Sequence, residues 1–373
     1  MYEKLTTPCF LIDESRVLHN LKILKEVSTE TGCKILLAQK AFSMYSAYPL
    51  ISEYLDGTTA SGLYEARLGY EHFGKETHVY SPAYREDCFD EILQYADDIV
   101  FNSPNQVEKF GHLAKAKGKS IGLRINPECS TQEGHEIYDP CASGSRLGTT
   151  LVQFDESLLQ LLDGLHFHTL CEQNADALEA TVAAVEEKFG VYLHRMKWLN
   201  LGGGHHITRD DYDVRRLKRI IRHLQDTYHV QVYLEPGEAV VLNSGFLITR
   251  VLEIIENQIR IAILDTSAAC HMPDVLEMPY RPPLKNSGEP DEYSYTYRLG
   301  GPTCLAGDII GDYSFKEPLK EGDELVFEDM ALYTMVKTNT FNGMPLPDIV
   351  WKDLAGKCTT IRKFGYEDFK SRL

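Results

Sequence analysis

In Lys34-Ile35-Leu36-Leu37-Ala38-Gln39-Lys40-Ala41 a short apolar run, Lys34–Ala38, is followed by a lysine, Lys40. A run of this length and composition reads as a strand rather than a helix. The pattern recurs at Gly57–Ala60, Thr77–Tyr80, Asp98–Phe101, Ile121–Ile125, Leu165–His168, Lys197–Leu201 and Val232–Leu234. Helical stretches lie between these runs. In the segment 211–228, Val214, Leu217, Ile220, Ile221 and Leu224 form one apolar stripe, with Arg215, Arg216, Lys218 and Arg219 assigned to the other side. In the segment 13–27, Val17, Leu21, Leu24 and Val27 align, and Asp13 or Ser15 is available as a cap. Eight strands alternating with helices over about 200 residues predict an α/β fold, a (β/α)8 TIM-like barrel spanning residues 13–242.

Beyond Asn243 the texture changes. Val251–Leu264, Tyr293–Leu299, Leu325–Phe327 and Tyr333–Val336 read as strands between Gly-Pro, Glu-Gly-Asp and Asn-Gly turns. Helical character returns only in the C-terminal tail. This predicts an all-β domain of Greek-key or sandwich type over residues 243–373. The opening residues 1–12, with Cys9-Phe10-Leu11-Ile12, are expected to pair with it.

The bulk properties narrow the function. Hydrophobic residues make up 43% and charged residues 25%, ordinary values for a globular protein. No stretch approaches the ~20 apolar residues of a membrane helix. Residues 1–10 lack the basic and apolar regions of a secretory signal. Nine scattered cysteines without a Cys-x-x-Cys pair suggest reduced thiols and a cytoplasmic protein. A net charge of −17 argues against nucleic acid and is compatible with a cationic small-molecule substrate.

Catalytic residues of such barrels sit where strands end. Lys40 follows the first strand among apolar neighbours, a setting that lowers an amine's pKa toward the nucleophilic form. Arg124 lies near the end of the fifth strand and His168 ends the sixth. Gly202-Gly203-Gly204 follows the seventh, where backbone amides can approach a phosphate. Glu235-Pro236-Gly237 follows the eighth, and a carboxylate there could keep a pyridine nitrogen protonated. Each residue alone also fits an ordinary structural role; together they match the parts of a pyridoxal-phosphate site.

The set resembles the alanine-racemase-fold, pyridoxal-phosphate-dependent decarboxylases, the group holding ornithine, arginine and diaminopimelate decarboxylases. The resemblance spans nearly the whole chain. It rests on Ala38-Gln39-Lys40-Ala41, Ser61–Glu65, Phe167-His168, Leu201–Gly204, Glu235-Pro236-Gly237, Gly301-Pro302-Thr303-Cys304, Tyr333-Thr334 and Thr340–Gly343. Leu201–His206, His271-Met272-Pro273-Asp274 and Gly301–Gly307 resemble the branch that acts on carboxylated polyamines. The resemblance implies a polyamine-biosynthetic lyase that decarboxylates carboxynorspermidine or carboxyspermidine. It implies that Lys40 anchors pyridoxal 5'-phosphate, Glu235 faces the pyridine nitrogen, His168 stacks on the ring and Arg124 lies close to it. Gly203, Gly204 and the Tyr333 hydroxyl would bind phosphate. Cys304 would reach in from the partner subunit of a homodimer and return a proton to the α-carbon.

Three departures bear on the substrate. Glu238 stands where relatives carry arginine after Glu-Pro-Gly, which argues against a distal carboxylate and suits an amine. Leu305 replaces an aspartate that pairs with a distal amine, so Asp274 is assigned that role. Cys171 occupies the place of a serine near the phosphate. The alternatives are a decarboxylase of ornithine, arginine, lysine or diaminopimelate, and a metal-dependent amidohydrolase using His166-x-His168 with His205 and His206. If Lys40 anchors the cofactor, Lys40→Ala abolishes both turnover and the covalent adduct trapped by borohydride. Full activity in that variant would overturn the assignment.

Overall fold

The computed structural model describes residues 5–132 and 136–373. The chain forms two compact units, one of residues 19–240 and one of residues up to 18 with 241–373. Strand β1 (Cys9–Asp13) belongs to the second unit.

The first unit is a closed barrel of eight parallel strands. They are β2 (Lys34–Ala38), β3 (Gly57–Ala60), β4 (Glu76–Tyr80), β5 (Asp98–Phe101), β6 (Ser120–Arg124), β7 (Gly164–His166), β8 (Trp198–Asn200) and β9 (Gln231–Leu234). Each predicted run becomes a barrel strand to within two residues at either end; β6, β7 and β8 stop short of the predicted ends, so His168 lies beyond β7 rather than in it. Hydrogen bonding from β9 back to β2 closes the ring.

The interior is filled by matching large against small. The register sets Gly122, Gly164 and Trp198 side by side on β6, β7 and β8. A Cβ on Gly164 would lie 2.0 Å from the Trp198 ring, and one on Gly122 2.3 Å from it. The indole thus occupies the volume that two missing side chains leave, and its Nε1 donates to Ser120 Oγ at 2.9 Å. Two residues further along these strands the same register aligns Arg124, His166 and Asn200, which therefore share the face of Trp198.

The helices largely follow the predicted stripes. Val17, Leu21, Leu24 and Val27 of Glu14–Thr31 are fully buried, and Asp13 Oδ1 accepts from Ser15 N at 3.0 Å. In Val214–Tyr228, Leu217, Ile220, Ile221 and Leu224 are buried as expected. Lys218 departs from the expectation. It is buried, with its ammonium 2.8 Å from Glu26 and 2.9 Å from Glu30. Its apolar stem joins the packed face while its charge meets two carboxylates of the neighbouring helix.

The second unit holds a mixed sheet with β10 (Gly245–Asn257), β11 (Ile259–Leu264), β12 (Tyr295–Gly300), β13 (Ile309–Phe315), β14 (Glu324–Glu328), β15 (Asp348–Lys352) and β16 (Cys358–Arg362). The order is β13-β12-β11-β10-β1-β15-β16, with β14 also on β10. β1 runs antiparallel to β10 and parallel to β15. Its alternate side chains enter two cores. Phe10 packs with Leu247, Leu264, Tyr313 and Phe327, whereas Cys9 and Leu11 pack with Phe246, Ile248 and Val350.

Two predicted strands are corrected. The run 251–264 is a hairpin, because Gln258 adopts φ 62° and reverses the chain between β10 and β11. Residues 333–336 are not a strand: Tyr333 lies at φ 51° and a 3-10 turn follows at Met335–Lys337. Strands β13, β15 and β16 were not anticipated. β16 is exposed along most of its length, so it lacks the alternation that marks a half-buried strand. The tail does carry a short helix, Tyr366–Lys370.

Gly164→Ala should destabilise the protein by about 1–3 kcal/mol through overpacking against Trp198. The denaturant midpoint would show it, and an unchanged midpoint would refute this account of the interior.

Candidate active site

The Lys40 and Glu235 turns are locked together. Ala38 N donates to the Pro236 carbonyl at 3.0 Å, and a Cβ on Gly237 would come within 2.5 Å of Ala41 Cβ. The fully buried Gln39 donates to Glu65 O at 2.8 Å and accepts from Tyr48 Oη at 2.9 Å. With its neighbour fixed on both sides, Lys40 has little choice of direction. Its side chain keeps accessible surface although dense protein surrounds the amine. Burial lowers the amine's pKa and Arg124 lowers it further, while Glu235 and Glu238 oppose them.

Asn200 joins two parts of the site. Gly202 N–H can only donate, and it meets Asn200 Oδ1 at 2.9 Å. The amide nitrogen of Asn200 must then face Glu235, and it donates to Oε1 at 2.8 Å. Glu235 is thereby held as an acceptor. Burial pushes its pKa up, but His166, Asn200 and His78 together outweigh that and keep the carboxyl ionised.

The glycines are imposed by space and backbone angle. Gly202 and Gly204 lie at φ 68° and 81°. A Cβ on Gly203 would lie 2.4 Å from the Glu235 carbonyl, and one on Gly204 1.9 Å from that of Leu170. Gly203 N–H donates to His168 Nδ1 at 2.9 Å. That bond fixes the neutral tautomer with hydrogen on Nε2. Burial, with help from Lys40 and Arg124, holds the His168 pKa well below the ordinary value. Arg124 donates to the His168 carbonyl at 2.9 Å and lies 4.7 Å over the Tyr80 ring. Tyr80 in turn stacks on His166.

Beside Lys40, Glu238 Oε2 lies 2.6 Å from His206 Nε2. Ligand atoms of Glu172, His206 and Glu238 fall within 4.8 Å of one another. Two carboxylates around one imidazole make this wall anionic. Burial, then Glu238 and Glu172, pushes the Cys171 thiol up to about 12, so it stays protonated. His166 and His168 are not part of such a group among the described residues. His166 Nε2 instead lies 3.4 Å from Glu235, and His168 is committed to Gly203.

The remaining sequence-predicted residues lie in the second unit. Cys304 is exposed, and its sulfur meets Asn342 Nδ2 at 3.8 Å. Leu305 is exposed as well. Asp274 pairs with Lys337, which also lies 2.8 Å from Glu277. Tyr333 accepts from Lys337 N through its carbonyl at 3.1 Å. Sequence reasoning missed Asn200, Tyr80, Glu172 and the pairing role of His206. For Asn200 a signal existed, since it follows Trp198 at the two-residue spacing of one strand face.

The family model described as pyridoxal-dependent decarboxylase, C-terminal sheet domain, matches residues 9–331. The chain belongs to the pyridoxal-dependent decarboxylases. It is 44% identical to the carboxynorspermidine/carboxyspermidine decarboxylase of Campylobacter jejuni, covering 100% of this chain and 99% of the relative. It is 42% identical to the carboxyaminopropylagmatine decarboxylase of Synechocystis, over 99% of this chain and 96% of the relative. The crystal structure of carboxynorspermidine decarboxylase complexed with norspermidine from Campylobacter jejuni matches with a TM-score of 0.93 at 43% identity, covering 99% and 100% of the two chains.

Three histidines of this decarboxylase, the buried His166 and His205 and the half-buried His168, predict acid sensitivity. Burial lowers His205 from 6.5 to about 4, and His166 and His168 are lowered too. Below pH 6.5 the unfolded chain binds protons that the folded chain does not, so stability falls as pH drops toward 4. For His205 the shift corresponds to about 3 kcal/mol across that window. His205→Asn should flatten the pH dependence of the melting temperature, and an unchanged slope would contradict it.

Proposed function

We propose that this decarboxylase releases carbon dioxide from carboxynorspermidine and carboxyspermidine, forming norspermidine and spermidine, with pyridoxal phosphate held on Lys40. The observation that carries the substrate assignment is the anionic wall of Glu238, Glu172 and His206 where a distal-carboxylate binder would need a cation. The name of the Campylobacter jejuni relative at 44% identity points the same way.

The residues fit the cofactor on their own chemistry. The glycine loop is packed against the Leu170 and Glu235 carbonyls too closely for any Cβ, as a tight turn with approachable amides requires, Glu235 is an ionised acceptor, and the Lys40 amine has a lowered pKa. When bound, pyridoxal phosphate supplies a sink for the electron pair left as the α-carbon–carboxylate bond breaks. Lys40 would hold the cofactor through its amine, and Glu235, kept as an anion, would support a proton on the ring nitrogen. His168, oriented by Gly203, offers its ring face, and Arg124 fixes the strand end carrying that histidine. Gly204 and Tyr333 are assigned to phosphate. Gly203 is assigned there through its shape, because its amide is already committed to His168. Asp274 is assigned to a substrate amine that would compete with Lys337. Cys304 returns the proton, as the family resemblance suggests, within a homodimer whose subunits share their sites. That none of the nine cysteines is in a disulfide supports a cytoplasmic setting.

A second reading is favoured by the 42% relative, whose name indicates a substrate with a guanidinium tail. The same wall would accept such a cation. Carbon dioxide release from a panel of carboxynorspermidine, carboxyspermidine, carboxyaminopropylagmatine, ornithine, arginine, lysine and diaminopimelate separates these readings. Release from the carboxylated polyamines is expected. Release from diaminopimelate alone would overturn the assignment of Glu238. Glu238→Gln should weaken kcat/KM for the polyamine about tenfold or more, the cost of one charge-assisted contact.

A further inference from the structure

Asp308 is a buried carboxylate that the mechanism above does not use. It is 2% exposed and lies at the end of the Gly301–Gly307 segment that carries Cys304. Its Oδ2 accepts from Thr303 Oγ1 at 2.6 Å, with Thr303 N at 3.4 Å. Its Oδ1 accepts from Ala269 N at 3.1 Å. Ser267 Oγ lies 3.0 and 2.9 Å from the two oxygens and accepts from Cys270 N at 3.1 Å. The backbone closes the same segment: Gly301 N donates to Asp308 O and Asp308 N to Leu305 O, each at 2.9 Å. A Cβ on Gly301 would sit 2.3 Å from Asp308 Oδ2 and 2.7 Å from Ser267 Cα. The segment is therefore pressed onto the Ser267–His271 turn with no room for a side chain at its base.

Among the described residues Cys304 has no comparable support of its own: it is exposed, and its sulfur meets Asn342 Nδ2 at a long 3.8 Å. What fixes its backbone is its neighbour Thr303, and what fixes Thr303 is Asp308. A buried carboxylate is costly unless its lone pairs are filled, and here hydroxyl and amide donors fill them. That requirement works in reverse: satisfying Asp308 forces Thr303 and the 267–269 turn into one geometry.

We propose that Asp308 is a positioning residue for proton return, holding the segment 301–307 so that the Cys304 thiol is presented in a single place. This rests on the reading of Cys304 as the proton donor. In that step the S–H bond breaks, its proton forms the new C–H bond at the α-carbon, and the thiolate is reprotonated from water.

The test uses the holoenzyme and the variants Asp308→Asn, Thr303→Val, Thr303→Ser and Cys304→Ala. Product is analysed for the fraction of turnovers that end in transamination, with loss of active cofactor, rather than in the amine. Asp308→Asn and Thr303→Val should each lower kcat about tenfold with KM nearly unchanged, a part of the 10²–10⁴ that general acid catalysis contributes. Both should raise the side-product fraction, and Thr303→Ser, which keeps the hydroxyl, should restore it. A second readout needs no turnover: the rate of iodoacetamide labelling at Cys304 in the apoprotein, read by peptide mass, should change at least about threefold in both variants, the scale of losing a single hydrogen bond. Thr303→Val leaves Asp308 its Ser267 and Ala269 partners, so it tests the link even if Asp308→Asn fails to fold. A lower melting temperature with unchanged product fraction and labelling would reduce Asp308 to a structural role and overturn the proposal. An unchanged product fraction in Cys304→Ala would instead overturn the underlying reading of the thiol.

Discussion

Closure of the barrel in one fixed register is the constraint on which the site depends. Each strand contributes only a few inward residues, and the register decides which of them share a level. Gly122, Gly164 and Trp198 make one level and Arg124, His166 and Asn200 the next. The indole leaves no space for a Cβ on either glycine, so the lower level is rigid. The polar level rests on it, and its side chains have little room to move.

On that floor, polar groups are ordered by what backbone amides can and cannot do. The N–H groups of Gly202 and Gly203 can only donate, and they impose orientations on Asn200 and His168. Asn200 then presents its NH2 to Glu235, which is held as an anion. The glycine loop thus sets the tautomer of His168 and, through Asn200, supports the ionisation of Glu235. The second unit repeats the logic around Asp308, where one acceptor gathers donors from two segments.

Much of this was legible in the chain. The eight barrel runs follow from short apolar segments between amphipathic ones, a signal that each segment carries locally. Lys40, Glu235 and the triple glycine stand at strand ends and were recognisable there. The second unit was harder to read. Gln258 and Tyr333 take left-handed angles that neither residue type announces, so a hairpin and a turn read as strands. Lys218 read as a surface charge because its burial depends on Glu26 and Glu30, nearly two hundred residues away in the chain.

The sequence by itself determined which residue types stand at the ends of the strands, because strand and helix periods are properties of neighbours along the chain. It determined the barrel, the β-rich second unit and the family for the same reason. Only the tertiary structure decided how those residues are wired. That His166 faces Glu235 rather than a metal ligand set, that Glu238 meets His206 with Glu172 alongside, and that Asn200 links the glycine loop to Glu235 all depend on distances between strands and loops far apart in the chain. Hydrogen bonds and ion pairs act over a few ångströms in space, and separation along the sequence does not record that distance.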